Sequence, residues 1–462
     1  MPQSTRRWIH EKVKSVRESE ALPFHEILSA DMVKSAVAAS GIKFKDRIYT
    51  PFVTLCLFLS QVLDPDHSCR AAVARLIVWM VMNGRKPCAA NTTSYCDARQ
   101  RLPLEVIVCL VHQTAREIEA GASASWLWKG RKVSMVDGST SSMPDTPRNQ
   151  EAFPQSNSQG IGLGFPLVRY VAIIALATGV VRDLATGPYK GKETGETALL
   201  RKLLKNLSAD EILLGDRYFA SFFMLAALIQ RDVDGLFRMH QRRKFDFRRG
   251  QRLGVEDHIV TWTKPERPEW MDEETYAQIP DEMRIRELRI KIDQPGFRVN
   301  ELVLVTTMLD ATEYTKEDLA ALFLERWNIE LDLRSIKDVL QMDVLRCESP
   351  EMVEKEIWMH MLAYNLIRGV MAKAAEAHEK QPRQISFKGA LQTMTAFQDA
   401  LRRAAPKDRE RLMQTMLEVI AQHEVADRPG RYEPRANKRR PKPQRFLTEP
   451  RSEARKRLLN AA

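Results

Sequence analysis

Three carboxylates, Asp137, Asp216 and Glu330, have the types and settings that suit chemistry on a phosphodiester. Asp137 follows the short apolar run Val133–Val136 and opens the segment Asp137-Gly138-Ser139-Thr140. Asp216 follows Ile212–Leu214 in Gly215-Asp216-Arg217. Glu330 lies within 319–340, a stretch with helical spacing. At about 100° per residue, Leu322, Ile329, Leu333, Ile336 and Leu340 fall in an arc of roughly 60°. Phe323, Arg326, Glu330, Arg334 and Lys337 fall in a neighbouring arc of roughly 80°. One carboxylate thus sits in a row of cations at the edge of a core-facing stripe.

Taken singly, each acid has a bland reading. Asp137-Gly138 is a turn, Asp216-Arg217 an ion pair, and Glu330 with Arg326 and Arg334 a salt-bridged helix. Taken in the order strand end, strand end, helix, they suit two divalent cations about 3.5–4 Å apart, one at the nucleophile and one at the leaving oxygen. Three carboxylates leave two Mg2+ ions a surplus of positive charge for phosphate oxygens, and Mg2+ favours carboxylate oxygen while keeping water. Mn2+ shares that oxygen preference and can substitute. In this reading Asp137 bridges both ions, Asp216 binds one and Glu330 the other. Arg326 and Lys337, one and two turns from Glu330, grip flanking phosphates, with Arg334 and Arg217 as further DNA contacts.

The elements that must position these groups read as α/β, a mixed sheet flanked by helices. Residues 1–130 read as a helical N-terminal region that binds DNA, with Cys69–Met82 carrying an apolar face and Asn91–Arg101 offering Ser, Thr, Tyr and Arg for phosphate contact. A first core segment, 131–240, runs strand (Val133–Val136), strands Leu167–Thr178 and Val180–Ala185 around a Gly179 turn, helix (Gly195–Leu207), strand (Ile212–Leu214), helix (Phe219–Arg231). Carboxylates at two strand ends of such a sheet face one crevice. A β-rich insertion, 241–306, punctuated by Pro265, Pro268 and Pro280, precedes a second core segment, 307–378, with a long helix over Glu351–Ala377. Residues 379–462 read as a helical C-terminal region; from Arg428 it becomes a basic, Pro-rich extended tail.

Composition sets the outer limits. The 462 residues allow several domains, and a formal net charge of +11 suggests a polyanionic partner. Six cysteines without a C-x-x-C pair suggest reduced thiols in a cytoplasmic protein and argue against zinc. The longest apolar run, near Val171–Val181, is too short to span a bilayer, and no signal peptide is evident.

These residues resemble the DDE transposases of bacterial insertion sequences, specifically the insertion-sequence-four family. That family's third motif is Tyr, two residues, Arg, three residues, Glu, six residues, Lys. Arg326, Glu330 and Lys337 keep the spacing, and Phe323 stands at the Tyr position, where its ring keeps packing or stacking as a DNA contact without the phenol hydrogen bond. The first motif resembles Val136–Thr140 and the second Leu213–Phe219. The resemblance implies an RNase H-like core and a cut-and-paste reaction. Water attacks at a terminal inverted repeat in double-stranded DNA, the freed 3′-hydroxyl makes a hairpin that is then opened, and the 3′-end attacks target DNA. It implies at least a homodimer in the active complex. It also implies that a Trp of the insertion stacks a flipped base; Trp262 at a strand end is the first candidate and Trp270 the second. The alternatives are a catalytically inactive DNA-binding relative, and an RNase H-like nuclease without strand transfer.

Overall fold

The computed structural model describes residues 27–42, 48–292, 301–425 and 445–460. Most of the expected basic tail lies outside them, as do residues 1–26. The described chain opens with five helices: α1 (Ala30–Ala39), α2 (Pro51–Leu63), α3 (Cys69–Met82), α4 (Thr93–Arg101) and α5 (Leu104–Ala120). The first three start at Ser29, Thr50 and Ser68, whose hydroxyls accept from the backbone N–H three residues on, satisfying donors the helix leaves unpaired.

The α/β part then runs β1 (Val133–Ser142), α6 (Pro147–Ala152), β2 (Leu167–Ala175), β3 (Val181–Pro188), α7 (Glu196–Leu203), β4 (Ile212–Gly215), α8 (Phe222–Ile229) and β5 (Asp234–Arg238). It continues with β6 (Gln251–Gly254), β7 (Asp257–Thr263), α9 (Glu273–Gln278), β8 (Glu282–Lys291) and β9 (Glu301–Thr306). All nine strands share one sheet, ordered β3-β2-β1-β4-β5-β9-β8-β7-β6. Strands β1 to β3 are antiparallel, β4 and β5 run parallel to β1, and β9 returns antiparallel to β5. This is the RNase H-like mixed sheet expected, and strands β6 to β9 prolong it.

The remaining helices are α10 (Lys316–Glu325), α11 (Trp327–Arg334), α12 (Pro350–Ala377), α13 (Phe387–Arg403), α14 (Pro406–Gln422) and α15 (Arg451–Asn460). The alternation of β1 and β4 divides the core between two faces. Met135 and Leu214 face a cluster shared with Leu322, Ile329 and α12, whereas Val136 and Leu213 face Leu199, Leu200 and Leu225 of α7 and α8. α12 is buried along nearly its whole length, with Met359, Leu362, Leu366 and Met371 fully enclosed and polar Lys355, Glu356, His360, Asn365 and Arg368 buried beside them, so it is covered on every side. No described helix is long and apolar enough to cross a membrane.

Two expected elements differ. The helix expected over 319–340 is broken: α10 stops at Glu325, Arg326 forms a turn, and α11 ends in a π-helical turn over Ser335–Val339. Periodicity alone does not register such breaks because the apolar stripe continues across them. The first strand is also longer than Val133–Val136, because pairing with β2 continues from Ser134 to Ser142.

Candidate active site

Asp137 therefore lies in the middle of β1 rather than at its end. Its exposure comes from the other neighbour. The parallel ladder with β4 pairs Val133 with Ile212 and Met135 with Leu214, and then stops. Beyond it the β1 edge is open until Ser142, which bridges Val344. Continuing the same offset by two residues sets Asp137 level with Asp216, which follows β4 directly. By strand alternation both aspartates take the Met135 and Leu214 face, the one covered by α10 to α12. Asp216 is half-buried at the start of a short 3-10 turn (Arg217–Phe219), and its side chain caps no backbone N–H there.

Glu330 is brought to this crevice by the helix pair α10–α11. α10 begins with a reciprocal cap: Thr315 accepts from the Asp318 N–H, while the Asp318 carboxylate accepts from the Thr315 N–H. Leu319, Leu322, Ile329, Leu333 and Ile336 bury the core side. A second anchor was not anticipated. Asp332, two residues after Glu330, is wholly buried and accepts hydrogen bonds from Tyr364 Oη at 2.9 Å, from Arg383 Nη1 at 2.7 Å, and from Arg368. Arg383 also donates to the carbonyls of Ala175 and Leu176 at the end of β2. A buried carboxylate shared between two guanidiniums fixes how α11 is rotated, and Glu330 is consequently held on the opposite flank. The sequence carried a signal for this: a charged residue only about 40° from the apolar stripe of a helix asks for a buried partner.

Arg326, at the break, connects the two halves of the site. Its guanidinium lies 3.0 Å from Glu330 Oε1 and 3.9 Å from Asp137 Oδ2. Asp137 Oδ1 accepts from the Gly138 N–H at 2.8 Å. Burial pushes the Asp137 carboxyl up to about 6, against the opposing pull of that N–H and of Arg326; the nearby Glu196 and Glu330 add to the rise. Lys337 sits in the π-helical turn, and its Nζ donates to Ser139 Oγ on β1 at 3.3 Å. A wider turn of this kind resets which side chains face the sheet and recurs at functional positions.

The other expected contacts are placed less directly. Phe323 is buried, 6.0 Å beneath the Arg326 guanidinium, so it packs under the site. Arg334 is exposed on α11. Arg217 donates to Gln241 Oε1 at 2.9 Å and lies over the Tyr218 ring. Trp262 is 3% exposed: its indole N–H donates to Glu287 at 2.8 Å, and Arg243 lies 3.5 Å from its ring centroid. No base stacks there unless Arg243 leaves, because β-strand alternation turns this residue into the core. Trp270 is 39% exposed, with Arg201 at 3.7 Å over its ring.

The donor set, carboxylates with no thiol or imidazole, fits Mg2+ or Mn2+. Among the described residues no three His, Cys, Asp or Glu side chains group closely enough to hold a metal ion. Asp137, Asp216 and Glu330 would hold such an ion, with water and phosphate oxygens completing its shell, as Mg2+ commonly does.

Comparison with known proteins fits this arrangement. Residues 128–366, which hold all three acids, match the family described as the transposase DDE domain. The transposase InsG of insertion sequence element IS4 from Escherichia coli (strain K12) is 27% identical over 429 residues, covering 90% of this chain and 91% of that protein. A putative transposase, InsZ, from the same organism is 29% identical over 206 residues, covering 41% of this chain and 67% of that one. A solved piggyBac transposase synaptic complex with hairpin DNA overlaps 86% of this chain with TM-score 0.42 and 9% identity. By its matching domain and its similarity to InsG along most of both chains, the protein belongs to the DDE transposases of the insertion-sequence-four type.

Proposed function

We propose that this DNA transposase excises and inserts its element by metal-dependent cleavage and strand transfer at terminal inverted repeats, with Asp137, Asp216 and Glu330 as the catalytic carboxylates. The observation that carries the reading is the convergence of three separate chain segments: neighbouring strands β1 and β4 present two aspartates at one level, and Arg326 links Asp137 to Glu330.

Bound Mg2+ supplies Lewis-acid activation of the attacking oxygen and charge for the departing one. The chain's own residues do the rest. Asp137 and Asp216 hold one end of the crevice and Glu330 the other, so the scissile phosphate is gripped between sheet and helix. Arg326 and Lys337 neutralise phosphate oxygens beside it, Arg326 in a forked manner and Lys337 as a point charge. Double-stranded DNA is the substrate, first as terminal repeat and then as target. Handling two ends together calls for a homodimer. Trp262 and Trp270 are the candidates for stacking an extruded base, each only once the guanidinium over its ring, Arg243 or Arg201, moves away.

The test is end cleavage on a labelled terminal repeat with Mg2+, followed by scoring of joined products. Asp137→Ala, Asp216→Ala and Glu330→Ala each abolish cleavage while leaving repeat binding nearly intact. Retained nicking in any one variant removes that residue from the site. Cleavage by the parent protein without joined products supports a nuclease lacking strand transfer.

A further inference from the structure

Two thiols meet in the helical N-terminal region. Cys69 is the first residue of α3, and Cys96 lies within α4. The Cys96 thiol donates to Cys69 Sγ across 3.9 Å. Gln61 of α2 holds both helices from outside this contact. Its Nε2 donates to the His67 carbonyl at 2.8 Å and to Cys69 Sγ at 3.7 Å. Its Oε1 accepts from Tyr95 Oη at 2.9 Å and from Arg99 Nη1 at 3.1 Å, on either side of Cys96 along α4. Gln61, Tyr95 and Arg99 are all buried, so one enclosed amide fixes the two cysteine-bearing segments relative to each other.

The sulfurs are also reachable. Cys69 and Cys96 are both half-buried, whereas Cys347 is buried and Cys88 faces Tyr49 Oη at 3.9 Å. A disulfide sets its sulfurs about 2.05 Å apart, so closure asks for an approach of roughly 2 Å. Burial pushes the Cys69 thiol up, against the pull of the Arg99 guanidinium, so Cys69 rests protonated at neutral pH.

We propose that Cys69 and Cys96 are a redox modification site, oxidised by a small-molecule disulfide to a reversible bridge that pins α4 to the start of α3. The thiolate of one cysteine attacks the small disulfide, breaking its S–S bond, forming a mixed disulfide and releasing one small thiolate. The thiolate of the other attacks the protein sulfur of that mixed disulfide, forming Sγ–Sγ and releasing the second. Two protein thiols are oxidised, one small disulfide is reduced to two thiols, and those thiols take the two protons.

Oxidised glutathione added to the full-length protein, followed by alkylation, digestion without reductant and mass spectrometry, tests this. Two of the six cysteines escape alkylation, one linked peptide pair joins Cys69 to Cys96, and dithiothreitol returns both thiols. The bridge forms faster at about pH 9 than at about pH 7, because the thiolate is the attacking species. Cys69→Ser and Cys96→Ser each abolish it, and the parent's peptide map decides the matter even where a serine variant fails to fold. A glutathione adduct that accumulates on either cysteine without bridging overturns the proposal, because the partner sulfur is then out of reach. Alkylation of all six cysteines, or a bridge to Cys88 or Cys347 in its place, overturns it as well.

Discussion

Substituting Asp137 by Asn isolates how much this site costs the fold. In the metal-free protein the carboxyl is raised from 3.8 to about 6 by burial, net of the Gly138 N–H and the Arg326 guanidinium that favour its charged form. At roughly 1.4 kcal/mol per pH unit that difference is about 3 kcal/mol. With 24% of the side chain exposed, solvent relieves part of it, and about 2–3 kcal/mol is the working range. The sign follows from linkage. A carboxyl whose folded value lies above its unfolded one favours folding while protonated, so this penalty is absent below pH 3.8, grows through the interval to about 6, and is constant above. Asn at 137 carries no charge yet keeps an oxygen for the Gly138 N–H. The variant is therefore more stable than the parent by about 2–3 kcal/mol at pH 8 without metal, and the advantage fades as pH falls toward 4. Urea denaturation in EDTA at both pH values measures it. Equal stabilities at pH 8, or a deficit independent of pH, would falsify the account of Asp137 as a desolvated acid held for function.

Asp332→Ala leaves buried Arg368 and half-buried Arg383 without their carboxylate, and loses about 3–5 kcal/mol by denaturant unfolding; a loss under 1 kcal/mol refutes its role as the anchor of α11. Lys337→Ala keeps the fold but flattens the salt dependence of end-DNA binding by about one unit of slope, and an unchanged slope removes Lys337 from the phosphate contacts. Trp262→Ala opens a buried site and costs about 3–5 kcal/mol. Trp270→Ala stays within about 1 kcal/mol of the parent, and thermal unfolding of the pair checks the contrast.

The carboxylates were legible because they stand at transitions in pattern. Apolar runs ending in Asp137-Gly138 and Gly215-Asp216, and a stripe flanked by Arg326, Glu330 and Lys337, are local signals that periodicity registers. What periodicity did not register were events that depend on a neighbour. Asp137 is freed by where β4 stops pairing, not by where β1 ends. Arg326 breaks the helix without a proline or glycine to announce it. Trp262 near a strand end looked available because alternation gives the period but not which face is core; the sheet supplied that through Glu287 and Arg243.

On the proposed assignment the charges of the crevice close in two steps. Asp137, Asp216 and Glu330 carry three negative charges, and in the metal-free protein Arg326, paired with Glu330 and lying near Asp137, relieves only part of their repulsion. Two divalent ions outweigh the three acids and leave a surplus of positive charge. Arg326 and Lys337 then remain as uncompensated cations at the rim, where a DNA backbone brings the charge they lack. The order matters physically: before the ions bind, Arg326 is occupied as an internal counter-charge, and its pairing with Glu330 competes with phosphate. Metal binding and end binding are therefore coupled in the favourable direction, each strengthening the other by the same factor. That coupling shrinks in Arg326→Ala, in which end-DNA affinity responds less to added Mn2+; an Mn2+ response as large as the parent's means that Arg326 is not the group released.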